Sequence, residues 1–535
     1  MCERSNAKGQ KDQNSRSSDL ESTSFKQYEK FAGCSGSEAA DLSAKYSLRA
    51  LVPSGRFPTE QDIRFHSIAE SADASSPNTL AVYRIGHDCP SRVVAQATAR
   101  GAAGILTEQV LPSPIPQCIV GDIELALASI TAEITDRPDR KLLNIAVIGS
   151  AGKTTSTLLI ASLLRASGIR TAYWNDLGDC DGIVQSTPKT HVPTGSILVN
   201  WLNDAVDNQC TASVVEISED AARHGRYDAI EFDMIIVTGS ATRSDDFGPL
   251  GIQCVLERLT PTGVVIAPAD DPRALRAIRE AGVRMVTYGV RKAADVTAKI
   301  IEQGDGLTTL IVSHRDMSAV METPLCGAAM AANHAAATLV GLLLDQSLPD
   351  VVERLGQLSV VPGRGQRLIE FQQPTVVLET GGTVDRLTQA LRTHRSMKGR
   401  GKLWCMFAIS DHLKASDLAD AGEKMERFAD RIVLTATPSS KPTFLSRSHE
   451  VLDGVEKCIA FRLVADRERA MNWVLQEADS LDTVVVFTNE TDQTAHQQRS
   501  DLRKLRRCVE RNWQERKAYR VSKAKSDKPN LSIFG

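Results

Sequence analysis

No apolar run in the chain approaches the roughly 20 residues that a membrane-spanning helix needs. No Cys-x-x-Cys pair occurs either. The 11 cysteines are scattered and odd in number, which argues against a disulfide framework or a zinc site. Charge of one sign is missing too: the formal net charge is −3, so an anionic ligand needs a local basic site and nucleic acid is not an expected partner. Residues 1–45 are rich in Ser, Lys and Glu and lack an apolar h-region, so they read as a disordered tail and no signal peptide. A cytoplasmic protein is expected.

The sequence does hold one phosphate-binding pattern. Gly149, Ser150, Ala151, Gly152, Lys153, Thr154 and Thr155 follow the apolar run Ile145-Ala146-Val147-Ile148 and open a helical pattern closed by Gly168. Strand, glycine turn and Gly-Lys-Thr at a helix start form a phosphate cradle. Glycines let backbone N–H groups approach the anion, the helix N-terminus adds positive potential, and Lys153 reaches the β- and γ-phosphate oxygens. The Thr154 hydroxyl is placed to ligate Mg²⁺. The full Walker pattern is not met, because Val147 stands where its first glycine would be.

With 535 residues, 42% hydrophobic and 24% charged, the chain is an ordinary globular protein of several units. From about Ser47 to Asp136, short apolar runs (Thr79–Tyr83, Gly104–Leu106, Cys118–Val120) alternate with helical stretches (Arg92–Gly101, Glu124–Thr135). This predicts a small N-terminal α/β domain over 46–137. A central domain over 138–361 follows, with strands at Thr171–Trp174, Ser213–Ile217, Met234–Thr238, Gly263–Ala267 and Met285–Tyr288. Continuous Val/Ile runs between helices imply a mainly parallel sheet buried on both faces. Ala328–Leu344 reads as a helix, and Val361-Pro362-Gly363-Arg364-Gly365 as a hinge. The alternation resumes over 362–498, with strands at Thr375–Leu378, Lys402–Phe407, Arg431–Thr435 and Thr483–Phe487. That is Rossmann-like topology, but without a GxGxxG fingerprint a dinucleotide is not implied. Residues 499–535 are strongly basic and read as a solvated helix with a frayed tail. The expected fold class is thus α/β in three domains, with a P-loop ATPase at the centre.

The order of these features resembles the Mur ligase family. Gly101-Ala102-Ala103-Gly104, the phosphate loop, Ser186-Thr187-Pro188, Val215-Glu216-Ile217-Ser218, Asp270-Asp271-Pro272, Gly327 with Asn333, and Val361-Pro362-Gly363-Arg364 occur in family order and spacing. The resemblance implies an ATP-dependent amide ligase. Such an enzyme adds an amino acid to a UDP-N-acetylmuramoyl-peptide through an acyl phosphate, in the peptidoglycan synthesis that underlies cell shape and division. It implies ATP and Mg²⁺ as cofactors, Lys153 and Glu216 as catalytic groups, and Thr154 and Glu216 as metal ligands. Asn333 and Arg364 would join the phosphate loop on the nucleotide, and Ser186, Thr187 and Arg226 would contact the UDP-substrate. A monomer is expected.

The sequence also departs from the family. Thr238–Asp246 lacks the family's metal histidine, leaving Asp245 or Asp246 as oxygen donors, and no lysine between Lys189 and Lys292 can carry the family's carbamate. Thr437-Pro438-Ser439 lacks the arginine by which relatives recognise diaminopimelate, so that specificity is not carried over. An alternative reading is therefore a catalytically impaired nucleotide-binding protein acting as a regulator or scaffold. A ligase of folylpolyglutamate or cyanophycin type fits the core but not the domain ahead of the phosphate loop.

Overall fold

The computed structural model describes residues 44–187, 192–239, 250–304, 306–381, 383–397, 399–457, 460–489 and 494–526. Most of the expected N-terminal tail, Asp245, Asp246, Cys458 and the end of the basic tail lie outside these residues. The chain divides into two compact units, one ending at Gly121 and the other starting at Asp122.

In the first unit, four parallel strands run side by side in the order Ser67–Ala69, Thr79–Val82, Gly104–Thr107 and Gln117–Ile119. Helix Pro90–Ala99 covers the sheet with Val93, Val94 and Ala97, which pack against Ala81 and Ile105. Helix Ile123–Ile134, read from sequence with this domain, has Ala128 and Ala132 in a core of the second unit.

The second unit holds two sheets. The larger has 11 strands and is parallel around Leu143–Ile148, whose neighbours are Ala212–Glu216 on one side and Phe232–Val237 on the other. Both faces of this strand are buried. Ile145 and Val147 join one apolar cluster, and Ala146 and Ile148 join the other. This explains why the strand reads as an unbroken apolar run without alternation. The chain leaves Leu143–Ile148 toward Thr171–Asn175 on one side and later returns to Phe232–Val237 on the other. A topological switch point therefore opens at the carboxyl end of the phosphate-loop strand.

The sheet extends beyond the sequence reading through three antiparallel strands, Val296–Gly304, Leu307–His314 and Met317–Thr323. Among the described residues the smaller sheet has six strands, of which only Gln366–Leu368 is antiparallel. Its strands Thr375–Glu379, Leu403–Ile409, Arg431–Ala436 and Thr483–Phe487 match the predicted positions within a few residues.

The basic segment forms a 32-residue helix, Ala495–Ser526. It is not solvated all round: Leu502, Leu505, Cys508, Val509 and Trp513 lie in one cluster with Met471, Val474 and Leu475 of helix Arg467–Glu477. The spacing is that of one helical stripe. Near its start, the Arg499 Nη2 lies 3.1 Å from where a Cβ on Gly178 would stand, and Leu502 Cδ1 lies 3.1 Å from the same point on Gly363. Among the described residues no helix is long and apolar enough to cross a membrane.

Because Leu505 is buried and Arg507 is exposed on the same helix, the two should respond differently to truncation. Leu505→Ala is expected to destabilise the protein by about 2–4 kcal/mol and Arg507→Ala by less than about 0.5 kcal/mol in urea unfolding. Equal small losses would return this helix to a solvated appendage.

Candidate functional site

The phosphate loop is built from glycine backbone. Gly149 has φ +141° and Gly152 has φ +88°. A Cβ on Gly149 would lie 2.5 Å from the Thr238 Oγ1, and one on Gly152 would lie 2.7 Å from the Asn333 Oδ1. Both positions thus require glycine for backbone angle and for space. Gly152 precedes helix Lys153–Ala166, and no side chain caps its first turn. The turn's amide donors are therefore left for an anion.

Glu216 ends its strand opposite Val147, one strand over from the loop. The Thr154 hydroxyl donates to its Oε1 at 3.1 Å, and the Asp176 amide donates to its Oε2 at 3.1 Å. The Lys153 Nζ is 3.9 Å from Oε1 and donates to the Gly149 carbonyl at 2.9 Å. Burial raises the Glu216 carboxyl to about 7, the charge of Asp176 adds to this, and Lys153 and Arg364 oppose it. Glu219, on the following turn of chain, is also pushed up by burial and pulled down by Lys153.

The opposite wall comes from the hinge and the smaller sheet. Arg364 is 8% exposed, and its Nη1 donates to the Thr380 carbonyl at 3.1 Å. Burial lowers its guanidinium to about 10, with neighbouring Arg386 the next cause. Glu379, beside them, is raised to about 7 by burial, against the Gly365 amide, Arg364 and Arg386. One cleft is lined by Gly152, Thr154 and Thr155 on the loop side and by Arg364, Glu379 and Arg386 on the other. His394 also lines it, held down to about 4 by burial and hence neutral at ordinary pH. A second cavity of about 440 Å³ opens between Ser150, Gly239, Asp271 and Asn333, and Asn333 reaches both.

A nucleoside triphosphate with Mg²⁺ fits these residues. The glycine cradle leaves space only for backbone, and Thr154 with Glu216 offers a hard-oxygen pair next to Lys153.

The residues expected to hold the second substrate are less gathered. The Ser186 hydroxyl donates to the Asp179 carboxylate at 2.5 Å, and burial raises that carboxylate. Thr187 is half-buried beside it, and Arg226 is half-buried next to Tyr227, whose hydroxyl accepts the Ser218 amide at 3.2 Å. None of the three lines either cavity just described. The Asp-Asp-Pro motif borders the second cavity and also holds the local fold. Asp270 accepts the amides of Val290, Arg291 and Lys292, and Asp271 caps helix Pro272–Glu280.

In the loop Thr437–Ser440, hydroxyls close on one another. The Ser440 Oγ donates to the Ile409 carbonyl at 2.5 Å and lies 2.8 Å from the Thr437 Oγ1. Arg447 behind them is taken up by Glu450 and the Leu413 carbonyl.

Sequence reasoning missed Asp176, Glu219, Glu379, Arg386 and His394 as members of the site. Arg386 had a faint signal, a charged residue at a helix start shortly after a Gly-Gly pair in the sequence.

Residues 253–341 match the Mur ligase middle domain, and residues 363–489 match the Mur ligase glutamate ligase domain. Over 419 residues the chain is 27% identical to a UDP-N-acetylmuramoyl-L-alanyl-D-glutamate--2,6-diaminopimelate ligase of Geobacillus kaustophilus, covering 75% of this chain and 84% of that one. A Chlamydia pneumoniae protein of the same name is 27% identical over 403 residues, covering 73% and 82%. In fold the chain is similar to the MurF ligase from Thermotoga maritima in complex with ADP. The TM-score is 0.61 at 16% identity, over 84% of this chain and 98% of that one. The chain thus carries the Mur ligase middle domain and the Mur ligase glutamate ligase domain, in this order.

Proposed function

We propose that the protein is an ATP-dependent ligase of peptidoglycan-precursor synthesis, joining an amino acid to the carboxylate of a UDP-N-acetylmuramoyl-peptide. The observation that carries this is the group of half-buried Lys153 and buried Thr154 and Glu216 at the mouth of a phosphate cradle whose Gly149 and Gly152 leave no room for a side chain, faced by Arg364 across the cleft. Mg·ATP, when bound, supplies the phosphoryl group that turns an unreactive carboxylate into a good acylating agent. The chain's own part is positioning and charge neutralisation, since both reactants are anionic.

Loop amides and Lys153 hold the phosphates in line. Thr154 and Glu216 hold the cation, and Arg364 brings positive charge from the second wall. Ser186, Thr187 and Arg226 hold the UDP-peptide in this reading. The protein works as a cytoplasmic monomer and contributes, through the cell wall, to cell shape and division. The closed hydroxyl cluster at Thr437–Ser440 in place of an arginine argues for an amino acid other than diaminopimelate.

The test is phosphate release with Mg·ATP and UDP-N-acetylmuramoyl-L-alanyl-D-glutamate across a panel of amino acids. Release should require both substrates and should fall by about 100-fold or more in Lys153→Ala. A rate no higher than that variant's with every amine would sink the ligase reading.

A second expectation concerns pH. The folded Glu216 carboxyl titrates near 7, above its ordinary 4.5, so the stability of its neutral form is present below pH 4.5 and lost as pH rises through 7. Without nucleotide or Mg²⁺, Glu216→Gln should match the wild type at about pH 4 and exceed it at about pH 8 by on the order of 1–3 kcal/mol. Urea unfolding at the two pH values measures it. The same variant should bind Mg·ATP more weakly.

A further inference from the structure

The two arginines on the far wall of the cleft share one acceptor. The Arg364 Nη1 and the Arg386 Nη1 both donate to the Thr380 carbonyl, at 3.1 and 3.3 Å. Arg364 also donates to the Gly363 carbonyl at 3.3 Å, so both guanidinium groups donate to neutral backbone oxygens. Each guanidinium carries five N–H donors, and among the described residues backbone carbonyls take only one or two of them.

The backbone is shaped to put Arg386 there. A Cβ on Gly381 would collide with the Arg386 Nη1, and Gly381 has φ +99°. Glycine at 381 thus serves the turn and clears the path along which Arg386, on the first turn of helix Val384–Met397, folds back. Burial depresses the Arg364 guanidinium first and the like charge of Arg386 next, with Asp176, Glu216 and Glu379 opposing, so two guanidinium groups face the cleft as a pair of like charges beside one acid. Such a pair is relieved by an anion held between them. On the opposite side of the same cleft stand Gly152, Thr154 and Thr155, the residues of the phosphate cradle.

We infer that Arg386 is a phosphoryl-binding residue which, with Arg364, clamps the terminal phosphoryl group of the nucleotide from the side opposite Lys153. This rests on the nucleotide site proposed above and adds a second guanidinium to it. Arginine suits the role because its planar fork meets two phosphoryl oxygens at once, and a lysine would meet them only as a point charge.

The competing role for Arg386 is structural, a brace for the Gly363–Thr380 turn. Binding separates the two. Dissociation constants for Mg·ADP and for Mg²⁺ with the non-hydrolysable β,γ-imido analogue of ATP are measured by calorimetry on the full-length wild type, Arg386→Ala, Arg386→Gln and Arg386→Lys. Loss of a contact made only to the terminal phosphoryl should weaken the triphosphate analogue about tenfold or more in the Ala and Gln variants. Mg·ADP binding should stay within about twofold, and Lys should recover part of the loss. Equal loss for both nucleotides assigns Arg386 to the wall and overturns the inference, as does no change for either. Wild-type protein that binds neither nucleotide overturns the nucleotide site itself, and this assignment with it. Thermal unfolding of each variant without ligand identifies a variant that misfolds, and the remaining ones decide.

Discussion

Everything at the cleft turns on a carboxyl group that has been taken out of water. Glu216 sits at a strand end where burial alone would keep it neutral, and its neighbours are one hydroxyl, one amide and one ammonium at 3.9 Å. A site so poised favours arrival of a cation, because the cation recovers the ionised form that burial disfavours. The parallel sheet makes this possible. It brings Glu216 level with Val147, so that the acid and the phosphate loop leave the sheet at the same height.

Across the cleft the same problem is solved with opposite sign. Arg364, Arg386 and Glu379 crowd a wall in which neither the cations nor the acid is well hydrated. The two walls come from different sheets, joined through the Gly363 hinge. Charge balance at the centre therefore depends on how closely those sheets approach, which is the usual reason for such enzymes to close around their substrates.

Much of this is legible in the sequence. The strand Leu143–Ile148 and its glycine turn announce themselves, because burial on both faces leaves an unbroken apolar run and the turn leaves room only for glycine. The antiparallel strands from Val296 to Thr323 lack the continuous apolar run that marks the parallel strands, because buried Val296, Ala298, Leu310, Val312 and Met321 alternate with outward residues such as Lys299 and Glu322. The last helix misleads for a related reason: its charged residues outnumber the stripe Leu502, Leu505, Val509 and Trp513 that packs. Arg386 cannot be placed from spacing, because its position depends on the positive φ of Gly381. Glu219 and Asp176 enter the site only through the fold.

The last helix reaches two glycines, Gly178 through Arg499 and Gly363 through Leu502. Both have positive φ, and the first atoms that a side chain there would meet are the Ser186 carbonyl oxygen and the Thr380 side chain. The terminal helix is thus laid over turns whose shape is fixed by their own backbone, so its seat is a surface that only glycine leaves open.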